Sequence, residues 1–176
     1  LSVVGEKENC SIINLYGRPV SRAEFLLGKQ MPYIALGFVN YLVMTLLAVT
    51  LFGVPIKGSS FTLSVAALLY VIIATGMGLL ASTLTKSQIA ALFFTLIGTI
   101  THAIQFSGML NPVSSMQGFG RVFGEVYPAT AMINIIRGVF NKALGFADLH
   151  HNLLLWALTI PVVLSMAIVL LKKQDR

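Results

Sequence analysis

Two uncharged apolar blocks, Gln30–Ile56 and Gly58–Thr85, stand back to back with one lysine, Lys57, between them. Each is longer than the roughly 20 residues that a helix needs to cross about 30 Å of hydrocarbon. A chain with two such blocks in succession is expected to be an all-α integral membrane protein, with the bilayer as its solvent.

Composition agrees with that reading. Charged residues make up 10% of the 176 and hydrophobic ones 56%, whereas a soluble domain of this size carries about 25% charge. The net charge of +6 comes from basic residues scattered at the ends of apolar blocks, so no direct nucleic-acid binding is expected. Cys10 stands alone, which rules out an intrachain disulfide. No basic n-region or small-residue cleavage site is present, so no signal peptide is read. The chain reads as the C-terminal piece of something longer.

Residues 5–16 open with Glu6, Lys7, Glu8 and Asn9 and continue with Ile12, Leu15 and Tyr16 at helical spacing, which predicts a short interfacial helix. Gly17-Arg18-Pro19 breaks it. Ser21-Arg22-Ala23-Glu24 fits a capping box, and the first span is expected over 22–52, with Arg22 and Lys29 at the interface. Turns at 53–60 and 85–87 bound a second span over 61–84. A third is expected over 88–106, carrying His102 and Gln105 in its last turns. A fourth covers 149–171, with Asp148 as N-cap and Pro161 as a kink. Residues 111–145 do not span. Within them Met132, Ile135, Ile136, Val139 and Phe140 repeat at i, i+3, i+4, i+7 and i+8. That stripe predicts an amphipathic helix at an interface or dipping into the membrane.

Four spans put both ends on one side. Lys7, Arg18, Arg22, Lys29, Lys86, Lys172, Lys173 and Arg176 lie there, against Lys57, Arg121, Arg137 and Lys142 on the other. The excess predicts that both ends are cytoplasmic and that the loop before the last span faces outward.

Catalytic signals are weak. Gly28-Lys29 is followed by Gln30 and lacks the earlier glycine of a phosphate-binding loop, so this segment is not expected to hydrolyse ATP. No Asp, Glu, Lys or Arg lies at depth in the four spans, which argues against an ion-coupled carrier. His102, at membrane depth, reads first as a neutral side chain bonded to a neighbouring helix. Asp148, His150 and His151 converge poorly, because adjacent helical residues point about 100° apart, and no metal is expected. Asn9-Cys10-Ser11 matches a glycosylation sequon but falls on the cytoplasmic side. Gly76-x-Gly78 serves either close helix approach or flexibility. The third span ends at once in Gly108 and Pro112, and irregular backbone at that depth needs cover from protein or water. Phe94, Ile97, Thr101 and Gln105 share one face there by i, i+3, i+4 spacing. They are the expected wall of a pathway for an amphipathic substrate, with plain helix packing as the alternative.

The order of elements resembles a known family. Glu6-Lys7-Glu8 followed by Ser21-Arg22-x-Glu24-Phe25-Leu26-Leu27-Gly28-Lys29-x-x-Pro32-Tyr33 is similar to a stretch of ABC-2 type exporter permeases. So are Phe52-Gly53-Val54-Pro55, Gly76-x-Gly78-Leu79-Leu80-x-Ser82-Thr83, Gln105-Phe106-Ser107-Gly108-Met109 and Tyr127-Pro128. The wording of Ala74–Ala90 and Gly124–Gly138 resembles most the permease end of ribosome-associated ATPase fusions.

The resemblance implies that residues 1–176 are a transmembrane-domain fragment lacking two upstream spans. It implies that 5–16 are a coupling helix, with Glu6, Lys7, Glu8, Ile12 and Tyr16 meeting an ABC ATPase domain. It also implies that 111–145 are re-entrant and that Phe106, Gly108, Tyr127 and Pro128 belong to an outer gate. The expected partners are that ATPase, which binds the ATP and Mg, a second permease half, the bilayer and a small amphipathic substrate. The expected location is a bacterial inner membrane. Asn9-Cys10-Ser11 departs from the Gly-Thr pair common in the family. Two other functions remain open: a non-transporting anchor for a cytoplasmic partner, and an intramembrane enzyme using His102 or the His150/His151 pair. The latter lacks a nucleophile or carboxylate beside His102.

Overall fold

The computed structural model describes residues 22–85, 87–101, 104–105, 115, 117–142, 144 and 146–173. The expected coupling helix, Ser21, His102, Phe106 and Gly108 lie outside them. Among the described residues there is no strand. The helices are α1 (Arg22–Thr50), α2 (Ser60–Leu84), α3 (Gln88–Leu96), a π-helical turn (Ile97–Thr101), α4 (Phe119–Val126), α5 (Pro128–Asn141) and α6 (Phe146–Lys173).

Local chemistry sets most of the helix ends. Backbone amides of Leu51, Phe52 and Val54 fold back onto Leu47 and Ala48 at the end of α1, and Gly53 follows at φ 60°. That left-handed conformation is the usual glycine stop. The Ser59 hydroxyl accepts from the Thr62 amide at 3.3 Å to cap α2, and Ser87 accepts from Ala90 at 3.1 Å to cap α3. Pro128 begins α5, where a missing amide proton costs nothing.

Two expectations are corrected and a third is refined. The α-helical ladder of the third element stops at Leu96, where the backbone widens into the π turn. The Ile97 amide is shared there between the carbonyls of Phe93 and Phe94. Asp148 is not the N-cap of the last helix: α6 starts at Phe146 and places Asp148 in its first turn, where a carboxylate still faces the positive helix end. The amphipathic stripe of 132–140 is divided, with Ile136 exposed and its other members turned toward the chain. Ile135 and Val139 are fully buried, with Met132 and Phe140 packed beside them, in one cluster with Leu63, Ala66, Ile73, Leu153 and Trp156. The buried part of that face packs on α2 and α6.

α2 is the hub and packs against α1, α3, α5 and α6. Close approach depends on missing side chains. A Cβ on Gly37 of α1 would sit 2.6 Å from Val71 Cγ1, and one on Gly76 would sit 3.2 Å from Val163 Cγ1 of α6. Helices in lipid gain no hydrophobic drive from each other, so such van der Waals contact carries their association. The helices over Ala23–Thr50 and Ser60–Leu84 are long and apolar enough to cross a membrane. Gln88–Thr101 and Trp156–Leu170 are shorter apolar helices. No residue in the most apolar stretch of α1 is fully buried inside the chain, although Tyr41 packs against the central cluster.

Candidate functional site: an uncharged cavity between α2 and α3

α2 and α3 are joined by the short turn after Thr85 and run back along each other. Near the turn Ser82, Thr83 and Ala91 are buried. Farther from it a cavity of about 270 Å³ lies between the two elements. On α2 it is lined by Tyr70, Ile73, Ala74, Met77, Gly78 and Ala81, one helical stripe at i, i+3, i+4, i+7, i+8 and i+11, with Leu80 at its edge. On the other side stand Phe94 and Thr95 of α3 and Gly98 and Thr99 of the π turn. Tyr127, Pro128 and Ala129, at the junction of α4 and α5, complete the lining beside Tyr70.

No side chain in this lining carries a charge. Its polar groups are two phenols and two threonine hydroxyls. Thr95 Oγ1 donates back to the Ala91 carbonyl at 2.7 Å, so it offers the cavity only a lone pair. Burial, and then the neighbouring Tyr70, push the Tyr127 phenol above its ordinary value of 10.0, so it stays neutral. Tyr70 is braced from behind by Trp156, with ring centroids 5.9 Å apart. A space of this kind can take an apolar body and accept a few hydrogen bonds. Its lining holds no carboxylate, histidine, lysine or cysteine.

Of the residues singled out from sequence, the fold gathers Phe94, Tyr127 and Pro128 at this cavity. Ile97, Thr101 and Gln105 are exposed and do not line it. The cavity-facing surface is 94, 95, 98 and 99, turned by about one residue from the stripe read in the sequence. Ile97 is 62% exposed. Asp148 and His150 are exposed. The pair Arg121–Glu125 at 3.0 Å is an exposed i, i+4 bridge on α4 and contributes little.

Sequence reasoning missed Tyr70, Thr95, Gly98 and Thr99. It also missed Gln30. That side chain is 1% exposed and its amide donates to the Ile72 carbonyl and to Thr75 Oγ1, both at 3.0 Å. Its oxygen finds no partner among the described residues. A lone amide at the head of an apolar block was the available signal, since polar groups at depth are costly unless they tie helices together.

A family profile described as ABC-2 type transporter matches residues 1–141. The chain belongs to the ABC-2 type transporter family. A relative named probable multidrug ABC transporter permease YbhS, from Escherichia coli K12, is 31% identical over 140 residues, covering 80% of this chain and 37% of the relative. ABC transporter G family member 20 of Dictyostelium discoideum is 26% identical over 152 residues, covering 86% of this chain and 20% of that protein. No solved structure matches. This ABC-2 transporter chain therefore spans little more than a third of the length of the bacterial relative. The family is one of membrane transporters, and the bacterial relative is named a permease.

Proposed function

We propose that this chain is part of the transmembrane permease of an ATP-driven exporter that moves an apolar or amphipathic substrate outward across a bacterial inner membrane. The observation that carries the reading is an uncharged, aromatic-walled cavity between two helices of an ABC-2 family chain. The chain crosses the bilayer four times, over 22–52, 61–84, 88–106 and 149–171, with both ends cytoplasmic. Residues 5–16 take the push of the ATPase through Glu6, Lys7, Glu8, Ile12 and Tyr16. The segment 111–145 forms the outer cover, with Phe106, Gly108, Tyr127 and Pro128 at the gate. Under this topology the turn at Lys86 is cytoplasmic, and the cavity opens away from it toward Tyr127.

Two experiments test the reading. Phe94 forms the α3 wall of the cavity and is 56% exposed, so Phe94→Ala should change the ranking of exported substrates while folded yield holds. Leu154→Ala, on an exposed face of α6, should change neither. Activity that falls only in proportion to yield, for every substrate, assigns Phe94 to packing. Topology is read by labelling. Ser115→Cys in a Cys10→Ala background should react with an impermeant maleimide in intact cells, because residue 115 lies on the outward loop and is exposed. Reaction only after permeabilisation reverses the orientation.

A further inference from the structure

Glycine in a helix interior is destabilising relative to alanine, so each helical glycine asks for a reason. Two reasons are usual: a left-handed backbone, or a neighbour too close for a Cβ. Gly37 and Gly76 have the second, as their contacts with Val71 and Val163 show. Gly28 of α1, Gly78 of α2 and Gly98 of the π turn have neither, and of these Gly78 and Gly98 stand at the cavity. Among the described glycines only Gly53 and Gly118 are left-handed. A Cβ on Gly78 or Gly98 meets nothing within 4 Å. Both glycines line the cavity. What they contribute is room, since both line the cavity and a Cβ at either position meets open space.

The dimensions say what that room admits. From Tyr70 to Ala81 the cavity follows α2 over eleven residue steps, about 16 Å along the axis. The space of about 270 Å³ is a groove open on one side rather than a closed chamber, with three aromatic residues, Tyr70, Phe94 and Tyr127, in its lining. With no counter-charge in the lining, an ion inside would stand desolvated and unpaired, which is expensive.

We propose that Gly78 and Gly98 are the gauge of this cavity, setting the girth of what it accepts, and that its ligand is an amphipath with a slender, uncharged body. The proposal rests on the pathway reading above and deepens it. Gly28 supplies the control, since a Cβ there also meets nothing within 4 Å but the residue lies outside the cavity.

The full transporter, with its ATPase, is reconstituted in proteoliposomes. Three probes share one uncharged tetraethylene glycol head and carry a dodecyl, a naphthyl or a pyrenyl body. Gly78→Leu and Gly98→Leu should lower ATP-driven transport of the pyrenyl probe by about tenfold or more while the dodecyl probe stays within about twofold, the scale of one misfit group in an apolar pocket. The naphthyl probe should fall between, and Gly28→Leu should change none of the three. Gly78→Ala and Gly98→Ala shift the same cut-off less and remain informative should a leucine variant fail to fold. An equal fall for all three probes overturns the gauge and leaves the pathway reading standing. No change for any probe in folded glycine variants also overturns it. If Phe94→Ala is silent as well, the pathway reading falls with it.

Discussion

Ala74→Trp is expected to abolish export while leaving the protein folded. Ala74 lies one helical turn from Tyr70 and one from Gly78, on the stripe of α2 that lines the cavity, and it is exposed rather than packed. Alanine and tryptophan both hold a helix, so the backbone has no cause to change. The indole must occupy much of a space of about 270 Å³, and its bulk falls where an apolar body would lie. Losing even about 1.4 kcal/mol of binding there lowers affinity tenfold, and outright exclusion removes transport. The measurement is ATP-driven uptake of a lipophilic dye into inverted vesicles, with folded yield read in parallel. Leu158→Trp, on an exposed face of α6, is the matched control and should transport normally. Ordinary transport by folded Ala74→Trp would remove the cavity from the pathway.

Trp156→Ala is expected to give the largest loss of stability in the chain. Trp156 is the largest fully buried side chain, 2% exposed, and it joins α6 to Tyr70 of α2 within the cluster that holds Ile135 and Val139 of α5. Removing a buried aromatic costs about 3–5 kcal/mol when the site cannot collapse. The helices around this one leave little slack, because Gly76 already sits against Val163. A single domain is stable by only about 5–15 kcal/mol, so the variant should show a markedly lower melting temperature in detergent and a poor folded yield. Trp156→Phe separates packing from hydrogen bonding. The indole Nε1 has no partner among the described residues, so phenylalanine forfeits only part of the contact and should cost less than half as much. A Phe variant as damaged as the Ala variant would mean that Nε1 is bonded after all. The loss should also disturb the cavity indirectly, since Tyr70 loses the ring behind it.

What could be read from the chain alone is what depends on one dimension. The run of apolar residues before Lys57 and after it and the turns at 53–60 and 85–87 are local matters of length and backbone conformation, and so is the stripe of 132–140. They place α1, α2 and α5 close to where the pattern puts them. The family was legible for the same reason, in ordered short motifs such as Gly76-x-Gly78-Leu79-Leu80. The rotation of each helix about its axis was not. In a soluble protein a polar face marks the outside. In a membrane the lipid-facing and protein-facing sides are both apolar, and packing against neighbours sets rotation. So Phe94 reached the cavity while Ile97 turned outward, and Gly76 closed a contact while Gly78, two residues on, opened a space. The stripe of Ile135 and Val139 suited a membrane surface equally well by pattern, and only the presence of α2 and α6 beside it turned that face inward. Composition, length and motif order determined that this chain is a helical membrane permease segment. Tertiary packing alone decided which side chains meet, because no difference in hydropathy distinguishes a helix partner from lipid.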